Sequence, residues 1–482
     1  IHLSKENNIG SGLAWSFAER ITAQIVTTLV GIVLARLLDP AHYGLISIVN
    51  VLITICNVFV SSGMGSAIVQ KKEISDTDYN TAFFISLGIS VCAYLFLFLA
   101  APLVARFYKA TALTAVIRVM GLRLPLAAIN NIQQAHVQRE MTFKRFFIAT
   151  LFGTVLSGFV GVWLAWRGAG VWALVAQYLT NTTVDTIVLF FVEKWFPRPA
   201  FSRKSAGEMF SFGWKVLATE LVYTSVNSIR SLVVGKACGS ADLAYYDQGQ
   251  KYPALLVNNL NTAINKVMLP AFSRNQEDLS HLKSMLRRSI SVGIFLLCPL
   301  LIGFCAVAKN FVIVILTDKW LQCVPLLQIF CIVYLTRPLE SACHQALLSI
   351  GRSDTVLRIM VLINASSLIF STTAAICFHS VFIVASASLL TSVISLTSFM
   401  VCAGRLLGYG IREQLTDLCP ALFSGLIMLV CVRLVELLPI SVFAILVIQI
   451  SVGAIAYLLC CKIIRLDAMN YVLSFLKSRH KK

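Results

Sequence analysis

Residues 208–246 read EMFSFGWKVLATELVYTSVNSIRSLVVGKACGSADLAYY. The middle of this stretch is long and apolar enough to cross a bilayer, yet it carries Lys215, Glu220 and Arg230. A charge at membrane depth costs at least about 2.5–3.5 kcal/mol unless it faces water or a partner. The helix is therefore not expected to be surrounded by lipid. Lys215, Thr219, Tyr223, Asn227 and Arg230 fall at i, i+4, i+8, i+12 and i+15, so at about 100° per residue they form one polar stripe. One side of the helix calls for a wet cavity and the other for hydrocarbon.

The rest of the chain has the same membrane character. Of its 482 residues 58% are hydrophobic and only 13% charged, with a mean hydropathy of +0.81. That excludes a soluble globular protein and a disordered one. Apolar runs of about twenty residues recur throughout, where an outer-membrane barrel would show alternating segments of about ten. The fold class is thus an all-α polytopic membrane protein. The 14 Cys lie mostly inside apolar segments, without CxxC or Cys/His ligand spacing, and read as small packing residues. No disulfide framework, metal site or cofactor is expected.

Breaks at charge or Pro/Gly clusters give about fourteen spans, among them 14–37, 44–69, 113–137, 169–192, 212–236, 246–270 and 323–349. The first span is expected to act as its own insertion signal. A net charge of +18 might point to nucleic acid in a soluble chain, but here the basic residues sit in the short connections between apolar runs. One set of connections holds Lys71, Lys72, Arg139, Lys144, Arg145, Arg198, Arg203, Lys283, Arg287 and the basic tail. The opposite set holds only Arg106, Lys109, Arg167, Lys236, Lys309, Lys319 and Arg433. By the positive-inside rule both termini are cytoplasmic. No connection is long enough for a soluble domain, so function lies within the membrane. The tail LDAMNYVLSFLKSRHKK carries Leu466, Met469, Leu473 and Leu476 on one face and is expected to lie on the anionic leaflet, a plain solvated tail being the alternative.

The chain resembles itself. LLDPAHYGLISI lies on ACGSADLAYYDQ with Gly44 on Ala244, an offset of 200 residues. PLAAINNIQQAHVQREMTFKR lies on PLESACHQALLSIGRSDTVLR with Pro125 on Pro338, an offset of 213. Two ungapped matches at nearly equal offsets imply a duplicated unit. The reading is a six-helix lobe over 1–200, a second over 201–408, and two further helices with a basic amphipathic tail over 409–482. An even number of spans per repeat makes the repeats parallel, related by an axis along the membrane normal. That plan belongs to a transporter, with substrate between the bundles and alternating access.

Charges inside the membrane are numerous and concentrated. Glu19, Arg20 and Arg36 fall in span one, Arg118 and Arg123 in span four, and Lys215, Glu220 and Arg230 in span seven. Asp247, Lys251 and Lys266 fall in span eight, and Arg337 and Glu340 in span ten. Span two is uncharged but carries Asn50, Thr54, Asn57 and Ser61 at helical spacing. Spans one, two, four, seven, eight and ten are therefore expected to line a cavity and the others to face lipid. The lining is mainly cationic and selects an anion, and Arg suits phosphate by its bidentate fork.

The cavity cations proposed to bind substrate are Arg20, Lys215, Arg230, Arg118, Arg123, Lys251 and Arg337. Gln24, Asn50, Asn57, Tyr223 and Asn227 supply polar contacts to sugar. Glu19, Glu220, Asp247 and Glu340 either neutralise neighbouring bases or couple transport to protons or sodium. Arg123 beside Pro125 and Arg337 beside Pro338 have a second reading, satisfying carbonyls freed by the proline. Arg36, Lys236 and Lys266 lie near span ends, where snorkelling to the headgroups is the plainer reading. His136 and His344 have no ligand-spaced partners and read as packing residues.

Four stretches carry a family resemblance: GSAIVQKKEIS, PLAAINNIQQAHVQREMTFKR, NKVMLPAFSRNQED and PLESACHQALLSIGRSD. They resemble the bacterial polysaccharide flippases of the Wzx and teichuronic-acid-exporter type, in the multidrug/oligosaccharidyl-lipid/polysaccharide (MOP) exporter superfamily, and most of all the colanic-acid subgroup. The resemblance covers almost the whole chain. It implies a MOP/MATE-like fold in the bacterial inner membrane. It also implies a flippase, not an enzyme, that moves an undecaprenyl-pyrophosphate-linked oligosaccharide repeat unit to the periplasmic leaflet. Membrane lipids and polysaccharide polymerase or assembly proteins are its further partners. The competing readings are a cation- or proton-coupled drug exporter, against which the basic excess speaks, and a membrane glycosyltransferase or a scaffold. A glycosyltransferase would need an extramembrane loop for acid/base chemistry, and a scaffold leaves the buried charges unexplained.

Overall fold

Hydrocarbon offers no partner to a backbone N–H, so a spanning segment must satisfy its own hydrogen bonds within a helix. The computed structural model describes residues 22–474 apart from 62, 72, 73, 141, 194, 276, 472 and 473. The side chains at 143, 212, 223, 226, 227, 263, 266 and 267 are not described. The described residues are helical almost throughout and hold no strand.

The elements are α1 (Thr22–Leu37), α2 (Pro40–Ser61), α3 (Met64–Gln70), α4 (Asp76–Tyr108), α5 (Ala112–Met120), α6 (Arg123–Glu140), α7 (Phe143–Trp166), α8 (Val171–Glu193), α9 (Arg203–Ala237) and α10 (Ser240–Arg274). They continue with α11 (Leu279–Phe311), α12 (Cys323–Tyr334), α13 (Arg337–Ser349), α14 (Ser353–Phe378), α15 (Val381–Leu407), α16 (Ile411–Val435) and α17 (Val442–Ile463). Among the described residues eleven stretches are long and apolar enough to cross a membrane: α2–α3, α4, α5–α6, α7, α8, α11, α12–α13 and each helix from α14 to α17. Helices α9 and α10, at 35 residues each, have the length but are more polar than those eleven. These two and α1, which is apolar but shorter, are the three stretches expected from the sequence as spans beyond those eleven.

Packing divides the chain into one unit over Ile1–Ala244 and a second over Tyr245–Lys482. In the first, Leu34, Val49, Ile53, Leu97, Leu113, Ile117, Leu124 and Leu174 bury a core shared by α1, α2, α4, α5, α6 and α8. In the second, Phe272, Leu286, Ile290, Cys298, Leu339, Phe399, Met428 and Tyr457 join α10, α11, α13, α15, α16 and α17. Asn310 donates to Gln449 Oε1, and Gln449 to the Val432 carbonyl, so α11, α17 and α16 are also tied by buried amides.

Two spans are broken at corresponding points. In the first unit the helix stops at Met120, turns at Gly121 and Leu122, and restarts at Arg123 with Pro125 in its first turn. In the second it stops at Tyr334 and restarts at Arg337 with Pro338 next. Proline lacks an N–H and is accommodated in a first turn, where that donor would have no intrahelical partner. The break thus recurs at the register of the internal repeat.

Helix α9 is fastened to the first unit near both ends. At its start Glu208 meets Lys71 Nζ at 3.0 Å, and the same ammonium meets Asp78 at 3.0 Å. These two carboxylates, Asp78 foremost, hold Lys71 above the usual lysine pKa. One turn on, Gly213 approaches α2–α3 so closely that a Cβ there would come within 2.9 Å of the Gly63 Cα. At its other end the Leu232 carbonyl accepts from Tyr108 Oη at 3.0 Å, and Lys236 caps the Phe107 carbonyl. Of the tail, residues 467–471 are helical and the Arg288 guanidinium stacks 3.2 Å above the Tyr471 ring; Leu473 and Leu476 lie outside the described residues.

Candidate functional site

The polar interior of the first unit starts at the broken span. The restart at Arg123 carries its guanidinium to α2 and α8, where Nη1 donates to Asn50 Oδ1 at 3.2 Å and Nε to Thr182 Oγ1 at 3.4 Å. The group also lies over the Tyr178 ring, 4.9 Å from its centroid. Its partners are side chains, so its resolved bonds do not go to carbonyls freed by Pro125. No carboxylate pairs with it among the described residues.

Thr182 is also one wall of a cavity of about 270 Å³. Asn57 and Ser61 of α2, Ala127, Asn130, Asn131 and Gln134 of α6, and Asp185 of α8 complete it. The walls hold one another in place. Asn131 donates to the Ser61 carbonyl at 3.2 Å, Asn130 to Thr186 Oγ1 at 3.5 Å, and Gln134 to Asn130 Oδ1. Asn57 Oδ1 is buried and has no hydrogen-bond partner among the described residues. Asp185 is seated against Gly153 of α7, where a Cβ would fall 1.7 Å from its Oδ1. Glycine at 153 is what leaves room for the carboxylate.

The expected site residues distribute as follows. Asn50, Asn57 and Arg123 come together at this cavity and its edge. Gln24 stands on α1, bonded to Thr28 at 3.3 Å. Arg118 turns to α4, donating to the Phe98 carbonyl at 3.4 Å with its guanidinium 4.3 Å above the Phe98 ring. Glu19 and Arg20 lie outside the described residues, as do the side chains of Tyr223 and Asn227 on α9. Lys215 and Glu220 are exposed on α9, and Arg230 is half-buried. Lys215 stands two residues beyond Gly213, which packs against Gly63.

In the second unit Asp247 and Lys251 are half-buried on α10. Arg337 is exposed and pairs with Glu340 at 3.4 Å, while buried Glu340 accepts from Thr336. His136 meets Glu193 at 3.2 Å, in a cluster with Thr142 and Arg145 where α6 and α8 end and α7 begins. Among the described residues no three His, Cys, Asp or Glu are grouped to hold a metal.

One expectation is corrected. The charge census assigned span six to lipid, but α8 supplies Tyr178, Thr182 and Asp185 to the polar interior. The signal was present in the sequence, because Tyr178, Thr182, Asp185 and Thr186 fall at i, i+4, i+7 and i+8. Asn130, Asn131 and Gln134 are further cavity residues outside the expected set, and their signal in the sequence is three amides within five residues of one apolar span.

The family described as polysaccharide biosynthesis protein matches residues 33–325. The chain is 25% identical over 350 residues to the lipopolysaccharide biosynthesis protein WzxC of Escherichia coli (strain K12), covering 71% of this chain and 70% of that one. In fold it matches the lipid II flippase MurJ in an inward closed conformation, with a TM-score of 0.76 at 13% identity over 95% of this chain and 99% of MurJ. It also matches an inward-facing multidrug resistance MATE transporter of the MOP superfamily, with a TM-score of 0.58 at 12% identity over 84% and 99% of the two chains. The chain therefore belongs to the polysaccharide biosynthesis protein family, as a multi-pass, Wzx-type member with the MOP fold.

Proposed function

We propose that this protein is a flippase for undecaprenyl-pyrophosphate-linked oligosaccharide repeat units. It carries them from the cytoplasmic to the periplasmic leaflet of the bacterial inner membrane, both its termini being cytoplasmic, and so supplies exopolysaccharide, capsule or O-antigen assembly. The observation that carries this reading is an arginine held by neutral side chains beside an amide-lined cavity, inside the spans of a polysaccharide-biosynthesis chain. A guanidinium without a carboxylate partner retains its charge for a phosphate anion. Amides and hydroxyls answer sugar hydroxyls, and the polyprenyl tail stays in lipid while the head group passes. Lys215, Arg230, Lys251 and Arg337 are the further cations we assign to substrate binding, and alternating access exposes the substrate first to one side and then to the other. Polysaccharide polymerase or assembly proteins take the delivered unit. The drug-exporter alternative shares the fold, but a basic interior repels the cationic substrates it would have to carry.

The test is native mass spectrometry of the protein purified from its own host in lipid nanodiscs, comparing wild type with Lys215→Ala/Arg230→Ala. A polyprenyl-pyrophosphate oligosaccharide retained by wild type and lost from the variant is the expected result. Retention of cationic amphiphiles in its place would overturn the reading. Coupling has its own check: if protons or sodium drive transport through Glu220 or Asp247, neutralising either abolishes ion dependence while lipid binding survives.

A further inference from the structure

The connection from α8 to α9 is a strap over 195–202 without helix or strand, and it is pinned. The Arg198 N–H donates to Asn80 Oδ1 at 2.8 Å and the Ser202 N–H to Thr81 Oγ1 at 3.0 Å. Both acceptors are buried on α4. Pro197 and Pro199 bring no N–H and hold the residues before them, Phe196 and Arg198, in extended backbone. Trp195 anchors the start of the strap, its ring 5.9 Å from Tyr79 and 6.1 Å from Phe83. Phe196 stacks on Phe190 of α8 with 5.6 Å between ring centroids, so the strap begins at the level where a membrane span ends.

What the strap turns outward is aromatic and basic. Phe196 and Phe201 are 59% and 58% exposed, and Arg198, Arg203 and Lys204 are exposed beside them. No carboxylate pairs with these three bases among the described residues. Other bases at this end of the first unit are engaged: Lys71 by Asp78 and Glu208, Arg145 by Glu193, and Arg139 by the carbonyls of Ile68 and Lys71. Arg203 and Lys204 also stand in the first turn of α9, where no acidic residue accompanies them and the helix dipole disfavours a cation. The fold itself does not call for these charges. An acidic protein or a free phosphate would answer the bases and leave two phenyl rings in water. An anionic phospholipid answers both, with its phosphate against the bases and its acyl chains against the rings.

We propose that the strap and the first turn of α9 form a binding site for anionic phospholipid in the leaflet where α8 ends. Arg198, Arg203 and Lys204 hold the headgroup phosphate, and Phe196 and Phe201 enter the acyl boundary. Under the proposed topology that leaflet is the cytoplasmic one. The site is independent of what the protein transports.

The test uses the full chain in phosphatidylcholine nanodiscs holding a trace of photoactivatable phosphatidylglycerol or phosphatidylcholine, both with the same diazirine beside the glycerol backbone. Crosslinked peptides are mapped by mass spectrometry. A base near an anionic headgroup contributes about fivefold, so the phosphatidylglycerol probe should label 195–204 at least about tenfold more than the phosphatidylcholine probe. Arg198→Gln/Arg203→Gln/Lys204→Gln, all exposed positions, should abolish that preference. Arg352→Gln/Arg358→Gln/Arg405→Gln removes as much charge from exposed positions of the second unit and should leave labelling of the strap unchanged. Equal labelling by the two probes, or an equal loss in the second-unit variant, would overturn the proposal in favour of non-specific lipid contact or net charge. A strap that neither probe labels is covered by something other than lipid, which overturns it as well. Suppression of the labelling by glycerol phosphate would identify a free-anion site in its place.

Discussion

Arg123 engages two of its five N–H donors with neutral partners, Asn50 and Thr182. A lysine there would keep the charge but lose the fork. Arg123→Lys should therefore cost about 1.5–3 kcal/mol of stability, read as a lowered midpoint in thermal unfolding, and weaken farnesyl pyrophosphate binding. An unchanged midpoint would mean that the contacts to α2 and α8 are not made. Asp185 and Gly153 form a tighter pair. A methyl at 153 has to displace the carboxylate 1.7 Å away, so Gly153→Ala should destabilise by about 1–3 kcal/mol through overpacking. Combining it with Asp185→Ala relieves the clash, and the double variant should be more stable than the two single costs predict when summed. Strict additivity would contradict the contact. At this scale legibility was uneven. Arg123, Asn50 and Asn57 stand out in the sequence because charge and amide are rare in apolar runs. Asp185 was hidden in a span judged by its lack of bases, and its seat on Gly153 depends on how α7 packs on α8, which no spacing within either helix records.

At the scale of elements, the broken spans and the polar character of α9 were readable beforehand. Proline recurring at 125 and 338 in matched stretches marks a helix restart, and a stripe at 3.6-residue period marks a helix with one wet side. The fastening of α9 was not readable, since Gly213 against Gly63 and Tyr108 to the Leu232 carbonyl join residues more than a hundred positions apart. The Lys71 contacts allow a check on that fastening. Asp78 is buried and Glu208 exposed, so the two carboxylates should differ in weight. Lys71→Ala removes the ammonium from a buried carboxylate and should cost about 1–3 kcal/mol. Glu208→Ala removes an exposed ion pair and should cost about 0–1 kcal/mol. Unfolding of the two variants in the same detergent decides it, and equal costs would refute the assignment of Asp78 as the dominant partner.

Across the whole molecule, the eleven long apolar stretches among the described residues and a strong asymmetry of basic residues constrain the topology. Arg139, Lys144 and Arg145 flank one connection, and the next, near Gly168, carries only Arg167. Reporter fusions should follow that asymmetry: a fluorescent protein joined after Glu140 should fluoresce, and alkaline phosphatase joined after Gly168 should be active. The opposite pattern would invert the orientation. Hydropathy made the spans legible because hydrocarbon forces every backbone group into a helix, and it could not register that packing divides the chain after Ala244, since that division depends on which helices touch. The most direct measurement of the central claim is made in proteoliposomes loaded with a fluorescent polyprenyl-pyrophosphate disaccharide, where dithionite quenches only the outer leaflet. Wild type should render nearly all of the probe quenchable, while Lys215→Ala/Arg230→Ala should leave the inner-leaflet fraction protected, as in protein-free vesicles. Protection that persists with wild type, or is abolished equally by the variant, would contradict flipping through a cationic path.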